Sequence, residues 1–516
     1  MRSLSTLKNM VVSLAYEVML ILFGLIMPRL IIDTYGSEVN GLTSTINHIL
    51  SILNLLQAGA VGASIFQMFK PVAEKDYYRV SMVLDASRRY FRKIGLIFLI
   101  LVVAVVPIIS MGVQSELAIW EKALAFIILG ANGAFYFFFT SWYDILFSSH
   151  QKRFLLSLAS IVDKLLYYGL LFVVILLKLH FMWMYVAVLI GTAVRVVFLY
   201  VIYCKQFRPK LVKVKPDKSF KIQNKGYLLC NQIATQAVDA LPTVMITSVS
   251  GLASASVYAV YNLVQNMIKM VVRTVQQSVS EVFGNLVVSE KEERVRRVYE
   301  LLEFVFFLVA VVLCCCAGFL FMPFIYLYTD GNSLDVTYLY PILAISVVAY
   351  DVFYCMYMPC YTLTNVYGLF KETYLQAILS AVIAASIALG LGLIYWPLVM
   401  LGPVFYYISS LVYRLIVAKR RVPWLRLGSF VRRMTVVLVT VAASVVLSTL
   451  MYKPNGYVIG GWWTWIGHAV LCGLSVLAVV GVYALIFERP AVKGLFGYVK
   501  RLVAKKFGGK KKTTEN

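Results

Sequence analysis

The sequence predicts an all-α polytopic membrane protein. It reads as about 14 transmembrane helices, in two six-helix lobes related by pseudo-two-fold symmetry plus two C-terminal helices. Three observations carry this reading. The 516 residues are 61% hydrophobic and 14% charged, where soluble domains carry about 25% charged residues. No soluble core hides that much apolar surface, so a water-soluble enzyme is excluded. The apolar residues also fall into runs of about 20, the length that crosses a bilayer. Finally, the net charge of +24 is concentrated in alternate connectors rather than spread along the chain.

The first run, 10–32, is too long for the roughly 7–15-residue core of a cleavable signal, and no small-residue cleavage site follows it. It is read as the first span. The others lie at about 41–66, 94–113, 118–147, 154–177, 182–204, 227–249, 252–282, 299–328, 338–364, 372–395, 397–417, 434–451 and 462–487. The shortest outer turns fall near His180 and near 395–397, and losing them would leave twelve spans.

With the N-terminus inside, 39 of the 48 Lys and Arg lie in inner segments and only Lys178 and Lys453 in outer loops. This asymmetry is the positive-inside pattern and places both termini in the cytoplasm. The outer turns carry acids instead: Asp33, Glu38, Glu116, Asp330 and Asp335. No connector is long enough for a soluble domain. The chain divides into lobes 1–210 and 211–425, two added helices within 426–490, and a basic tail 491–516. The tail, with Lys505, Lys506, Lys510, Lys511 and Lys512, suits anionic lipid head groups rather than nucleic acid.

Two stretches resemble one another. GLTSTINHILSILNLLQAG starts at Gly41 and GLASASVYAVYNLVQNMIK at Gly251. Each is followed by a basic amphipathic segment, DASRRYFRKIG or SEKEERVRRVYELLEF. Six spans separate the copies, so the two halves share one orientation, and substrate is expected in a cleft between them.

Seven cations remain inside spans: Arg29, Lys122, Lys164, Arg195, Lys269, Arg273 and Arg414. Each must pair, face water or reach the interface. Arg414 and Lys122 lie near span ends and are expected to snorkel, with Arg195 intermediate. The eighth span carries Tyr258, Asn262, Gln265, Asn266, Lys269, Arg273, Gln276, Gln277 and Ser280 at three-to-four spacing, one polar face on an apolar helix. Asn and Gln on such a face often act as helix–helix glue, but two cations one turn apart favour an aqueous cavity. The seventh span has a similar face of Asn231, Gln232, Thr235, Gln236 and Asp239, and the second a milder one of Ser44, Asn47, Ser51 and Asn54.

Lys164 lies about 16 Å along the fifth span, deep for snorkelling, beside Asp163, which is not an automatic partner because sequence neighbours on a helix diverge by about 100°. Arg29 is read equally as a pair with Asp33 or as a substrate contact. The tenth span carries Tyr350, Asp351, Tyr354, Tyr357, Tyr361 and Asn365, a face that suits either sugar rings or interhelical packing.

A cationic cavity selects an anion, with phosphate or diphosphate the natural choice. Lys269, Arg273, Lys164 and Arg29 are the expected diphosphate contacts. Asn262, Gln265, Asn266, Gln232, Gln236, Tyr354, Tyr357 and Tyr361 are the expected sugar or cavity contacts. Glu17, Asp239 and Asp351 are carboxylates suited to carrying a coupling ion. The four histidines form no metal motif, the eight cysteines no CxxC, and GxxxxGK[ST] does not occur. Neither a cofactor, a metal nor catalysis is expected.

The residues also resemble a family. YGSEVNGL after the first span, QAGAVGASIF at the end of the second, and KGYLLCNQIATQAVDALPTVMITSVSGLASASVYAVYNLV in the second half are similar to polysaccharide transporters. These are the O-antigen and capsule repeat-unit flippases of the multidrug/oligosaccharidyl-lipid/polysaccharide (MOP) exporter superfamily. The resemblance covers the whole chain, but its motifs are loose. One departure is visible: the family often has an acid-Gly pair where this chain has Gln57, Ala58 and Gly59.

The resemblance implies a flippase of the bacterial cytoplasmic membrane. It would move an undecaprenyl-diphosphate-linked oligosaccharide by alternating access, as a monomer, with membrane lipids and a polysaccharide polymerase as partners. A peptidoglycan-precursor flippase is one alternative. A cation-coupled multidrug exporter of the same superfamily is another, although the cations disfavour it. A membrane glycosyltransferase or ligase would need longer outer loops.

Overall fold

The computed structural model describes residues 2–57, 60–150, 152–212, 226–289, 292–329 and 336–489. The basic tail and most of the 203–225 connector lie outside them. Among the described residues there are fifteen α-helices. They are α1 (Arg2–Tyr35), α2 (Ser37–Leu53), α3 (Ala60–Glu74), α4 (Tyr77–Gly112), α5 (Ile119–Phe135), α6 (Ser141–Ser149), α7 (Arg153–Leu176) and α8 (Met182–Gln206). There follow α9 (Gly226–Ser289), α10 (Glu292–Tyr328), α11 (Pro341–Val366), α12 (Phe370–Ile394), α13 (Leu401–Arg421), α14 (Leu427–Tyr452) and α15 (Trp462–Phe487).

Twelve of the described helical stretches are long and apolar enough to cross a membrane. The difference from fourteen has two local causes. The stretch Cys230–Gln276 contains two predicted spans, divided where Gly251 takes φ 81°. The predicted span at 41–66 is divided between α2, a 3₁₀ turn at Asn54–Gln57 and α3, so neither helix alone is long enough.

The chain packs as two compact units. Unit 1 comprises Met1–Leu263, Asn332–Thr337 and Ala385–Val399; unit 2 comprises Val264–Gly331, Tyr338–Ala384 and Met400–Asn516. The division runs through α9. It follows packing, whereas a division at 210/211 follows the sequence repeat. In unit 1, α7 packs on α1 and α8, and α5 on α4 and α8. In unit 2, α10 is the hub for α11, α14 and α15. The most apolar window of α11 is 72% buried and that of α15 only 11%. The C-terminal helices therefore touch the rest of unit 2 along one side, and their remaining apolar surface suits lipid.

Backbone conformation refines the repeat. Gly36 (φ 85°, ψ 169°) precedes α2, and Gly251 (φ 81°, ψ −176°) opens the second part of α9. Both need the left-handed region that glycine enters without penalty. The structural counterpart of Gly251 is thus Gly36, not the Gly41 of the sequence match. Gly41 is glycine for a different reason, because a Cβ there would lie 1.9 Å from the carbonyl oxygen of Leu252. There α2 and the start of the second part of α9 meet backbone to backbone. Gly41→Ala should therefore destabilise unit 1 by about 1–3 kcal/mol, the usual range for overpacking. An unchanged thermal midpoint in detergent would contradict this contact.

Two cations expected to snorkel do not. Lys122 is 4% exposed and donates from Nζ to the carbonyl of Val113 at 3.0 Å, just past the end of α4, where carbonyls lack helical partners. Arg414 is 2% exposed and donates to Thr364 Oγ1 at 2.6 Å. Each has a hydrogen-bond partner inside the protein, which weakens the drive to reach the interface.

A buried ionic cluster ties the last two helices to α10. Arg433, near the start of α14, bonds Glu303 of α10 at 3.0 Å and Glu488, just beyond α15, at 2.7 Å. Arg432 adds a 2.6 Å bond to Glu488.

Candidate functional site

The strongest sequence signal, the polar stripe of α9, divides between the two units and does different work in each. Above the division it is glue within unit 1. Asn40 Nδ2 donates to Ser256 Oγ at 2.8 Å, and Thr45 and Thr247 share a 2.7 Å hydroxyl bond. Asn262 Nδ2 meets His48 Nε2 at 3.2 Å, and Gln236 Nε2 donates to Ser51 Oγ at 3.2 Å. The milder stripe of the second span is thus the partner of the α9 stripe: α2 and α9 are joined by polar pairs, as membrane helices commonly are. Gln232 and Asp239 on this part of α9 are half-buried.

Below the division the stripe changes character. Asn266 and Arg273 are exposed, Gln265 and Lys269 buried. Measured down the helix from Leu252, Asn266 lies about 21 Å, Lys269 about 26 Å and Arg273 about 32 Å along the axis. At about 32 Å Arg273 lies beyond a hydrocarbon core of about 30 Å, where an exposed arginine is at home, while Asn266 lies within that depth, where lipid does not satisfy an exposed amide. A membrane-impermeant thiol reagent should label Asn266→Cys at least tenfold faster than Asn262→Cys, which is buried against α2. Equal rates would contradict the division.

Unit 2 assembles a cationic, aromatic cluster around this segment. Lys269 Nζ sits 4.6 Å from the ring centre of Tyr350, and Arg273 Nε donates to Tyr354 Oη at 3.2 Å. Tyr407 of α13 is the hub of the aromatics: Tyr350, Tyr354 and Tyr357 meet it edge-on at 5.0, 5.3 and 5.4 Å. This is the favoured geometry for aromatic quadrupoles. Arg414 closes the far side over Tyr357 and Tyr361, at 5.3 and 5.1 Å. Tyr350, Tyr354 and Tyr357 are each 1% exposed. Of the stripe's tyrosines, Tyr361 alone is half-buried. The Tyr face therefore packs on α13 and braces the two cations, rather than lining open space.

Asp351 is fully buried, and neither carboxylate oxygen has a hydrogen-bond partner. A buried carboxylate without hydrogen bonds is costly unless a charge compensates it. Lys269 is the cation that acts on it. Lys269 thus stands near a buried carboxylate and over a ring face.

The remaining candidates lie in unit 1, each with its own acid. Arg29 Nε bonds Asp33 at 2.9 Å, one turn on. Lys164 stands 4.0 Å from Asp163, with Nζ 5.5 Å from the Tyr167 ring centre. Asp163 is therefore a partner after all, because the flexible lysine stem spans the angle between neighbours. Glu17 lines a polar cavity with Asp144 and Arg195.

Sequence reasoning missed Arg414 as part of the cluster. Its signal was present: Tyr407 lies seven residues earlier, two turns on the same face of α13.

With this geometry, the chain is a multi-pass membrane protein with the all-α fold of MOP-superfamily transporters. The structural likenesses are specific. A multidrug-resistance MATE family transporter in an inward-facing conformation superposes with TM-score 0.64 at 14% identity, over 80% of this chain and 98% of that one. The lipid II flippase MurJ, in an inward closed conformation, superposes with TM-score 0.62 at 14% identity, over 93% and 99%. A MOP superfamily transporter from Pyrococcus furiosus, described as having a binding pocket of reversed polarity, gives TM-score 0.55 at 14% identity, over 82% and 94%. No family model and no curated protein matches the chain. At these identities the likeness defines the fold and leaves the substrate to the site.

Proposed function

We propose that this chain is a flippase. It moves an undecaprenyl-diphosphate-linked oligosaccharide, an O-antigen or capsular repeat unit, from the inner to the outer leaflet of a bacterial cytoplasmic membrane by alternating access. The observation that supports this most is the pair Lys269 and Arg273 beside the exposed polar face of α9. With the N-terminus inside, as the basic connectors indicate, these cations lie in the inner half of the bilayer, near the depth of inner-leaflet phosphates. Diphosphate oxygens take charge-assisted bonds from both, and Lys269 leaves Asp351 to make its bond. Lys164 and Arg29 are further diphosphate contacts that would exchange Asp163 and Asp33 for substrate. Gln232, Gln236, Asn262, Gln265, Asn266 and Tyr361 are polar contacts in this reading. Tyr354 and Tyr357 hold the cations in place. Glu17, Asp239 and Asp351 are the carboxylates able to carry a coupling ion.

The alternative is a flippase for a peptidoglycan precursor, which also presents a lipid diphosphate. Depleting the chain from its native cell separates the two. The proposal expects surface polysaccharide to stop and its lipid-linked repeat unit to accumulate. Accumulation of the peptidoglycan precursor instead would favour the alternative.

A further inference from the structure

Around the turn between α6 and α7, unit 1 lines a half-open cavity of about 470 Å³, within the roughly 300–1,000 Å³ of small-molecule sites. Four ionisable groups from four helices face it: Glu17 of α1, Asp144 of α6, Arg153 of α7 and Arg195 of α8. Arg153 opens α7 at one end of the cavity. Arg195 lies about 16 Å up α8 from Gln206, so the space reaches well into the helical bundle. Among the described residues no two of these four approach within ion-pair distance. Arg195 Nε is buried without a hydrogen-bond partner. Opposite charges inside a membrane bundle normally close on one another; here they stand around a space.

The local backbone keeps them apart. A π-helical turn, Tyr136–Thr140, separates α5 from α6, a distortion frequent at functional sites. It brings the hydroxyl of Tyr136 onto Asp144, which accepts its hydrogen bond. Arg195 lies 5.8 Å from the same ring. Tyr16 and Ser160 also line the space. Asp144 thus accepts from the hydroxyl of Tyr136, whose ring Arg195 flanks, and Arg195 acts on Asp144 through space rather than by a direct ion pair.

This lining restricts the ligand. A simple cation meets two arginines, and a simple anion meets two carboxylates. An apolar molecule would strip water from four charges. A polyol does none of these things, because each hydroxyl both donates and accepts. Hydroxyls can bond Glu17 and Asp144 as donors and Arg153 and Arg195 as acceptors, and the side chains of Tyr16 and Tyr136 also line the space. We propose that this cavity is a carbohydrate subsite that receives a sugar residue of the transported head group. The inference rests on the flippase reading and names where its sugar would be recognised, a role the buried Tyr face of α11 has no open surface to perform.

The test uses the full chain in detergent with Ser157→Cys in the cavity wall. Cys204, Cys230, Cys316 and Cys472, the half-buried native cysteines, are changed to Ser. The rate of labelling by a charged methanethiosulfonate is measured with glucose, galactose, rhamnose or N-acetylglucosamine, with inorganic phosphate, and with sodium chloride. The expected result is at least threefold slowing by one or more sugars and none by phosphate or salt. That protection should be lost in Glu17→Gln and in Arg195→Gln variants whose unprotected rate matches the parent. Protection by phosphate alone, protection by nothing, or sugar protection that survives both variants would overturn the subsite. If Lys269→Ala stops export but no sugar protects, the flippase reading stands and the subsite falls. If sugars protect a chain that moves no lipid-linked glycan, the subsite stands and the flippase reading falls.

Discussion

Replacing Lys269 or Arg273 with Ala is expected to cut export of surface polymer by about ten- to a hundredfold each, since a hydrogen bond to a charged group is worth roughly 1.5–3 kcal/mol. Protein abundance should stay near wild type for Arg273→Ala, whose side chain is exposed. Lys269→Ala has a second consequence. It strands Asp351, fully buried and without hydrogen bonds, and so should also lower stability. The double variant Lys269→Ala/Asp351→Ala separates the effects. It should recover the thermal midpoint lost in the single variant but not the export. Recovery of both would make Lys269 a structural counter-ion only. Wild-type export in both single variants would remove the diphosphate assignment.

Arg433→Ala should have the largest effect on stability. Arg433 and its partners Glu303 and Glu488 are at most 6% exposed, and removing one partner of a buried ion network costs about 3–5 kcal/mol. The loss would undock α14 and α15 from α10 first, because these helices bury little else. Arg432→Ala should cost only about 0–1 kcal/mol, since that side chain is 46% exposed. The cluster also sets a pH window. Burial works to raise the Glu488 carboxyl, but the hydrogen bonds from Arg433 and Arg432 outweigh it and hold it below the usual glutamate range. A depressed carboxylate stabilises the folded state above its unfolded value, about 4.3, and that contribution is lost only as pH falls through the lower folded value. The thermal midpoint should therefore respond little to Glu488 between pH 5 and 8 and drop below about pH 4. Equal midpoints for Arg433→Ala and wild type would contradict the docking role.

Much of this was legible in the sequence, for physical reasons that particular residues make plain. The membrane fold is written in hydropathy and charge asymmetry, and both are summed over whole segments. The α9 stripe was visible because helical period places Asn262, Asn266, Lys269 and Arg273 on one side. What period does not reveal is the partner. Nothing in the spacing says that Asn262 meets His48 while Asn266 is exposed. Arg414 read as a snorkelling residue because depth along a helix was the only information. Its actual partners, Thr364, Tyr357 and Tyr361, come from another helix. The cavity of Glu17, Asp144 and Arg195 was illegible for a different reason: a π-helical turn breaks the 3.6-residue register between Tyr136 and Asp144, so pattern reasoning loses their common face. The Gly41 match paired the two Gly-Leu stretches by their letters, but letters cannot show φ, and the positive φ belongs to Gly36.

The most direct measurement of the central claim is leaflet exchange by the purified full chain in vesicles. These carry a fluorescent undecaprenyl-diphosphate-linked oligosaccharide, and an impermeant quencher reads the outer leaflet. The wild-type chain should move inner-leaflet substrate to the quenchable side, and Lys269→Ala/Arg273→Ala should behave like protein-free vesicles. Wild-type vesicles no faster than protein-free ones, or a double variant as fast as wild type, would contradict transport through these two cations.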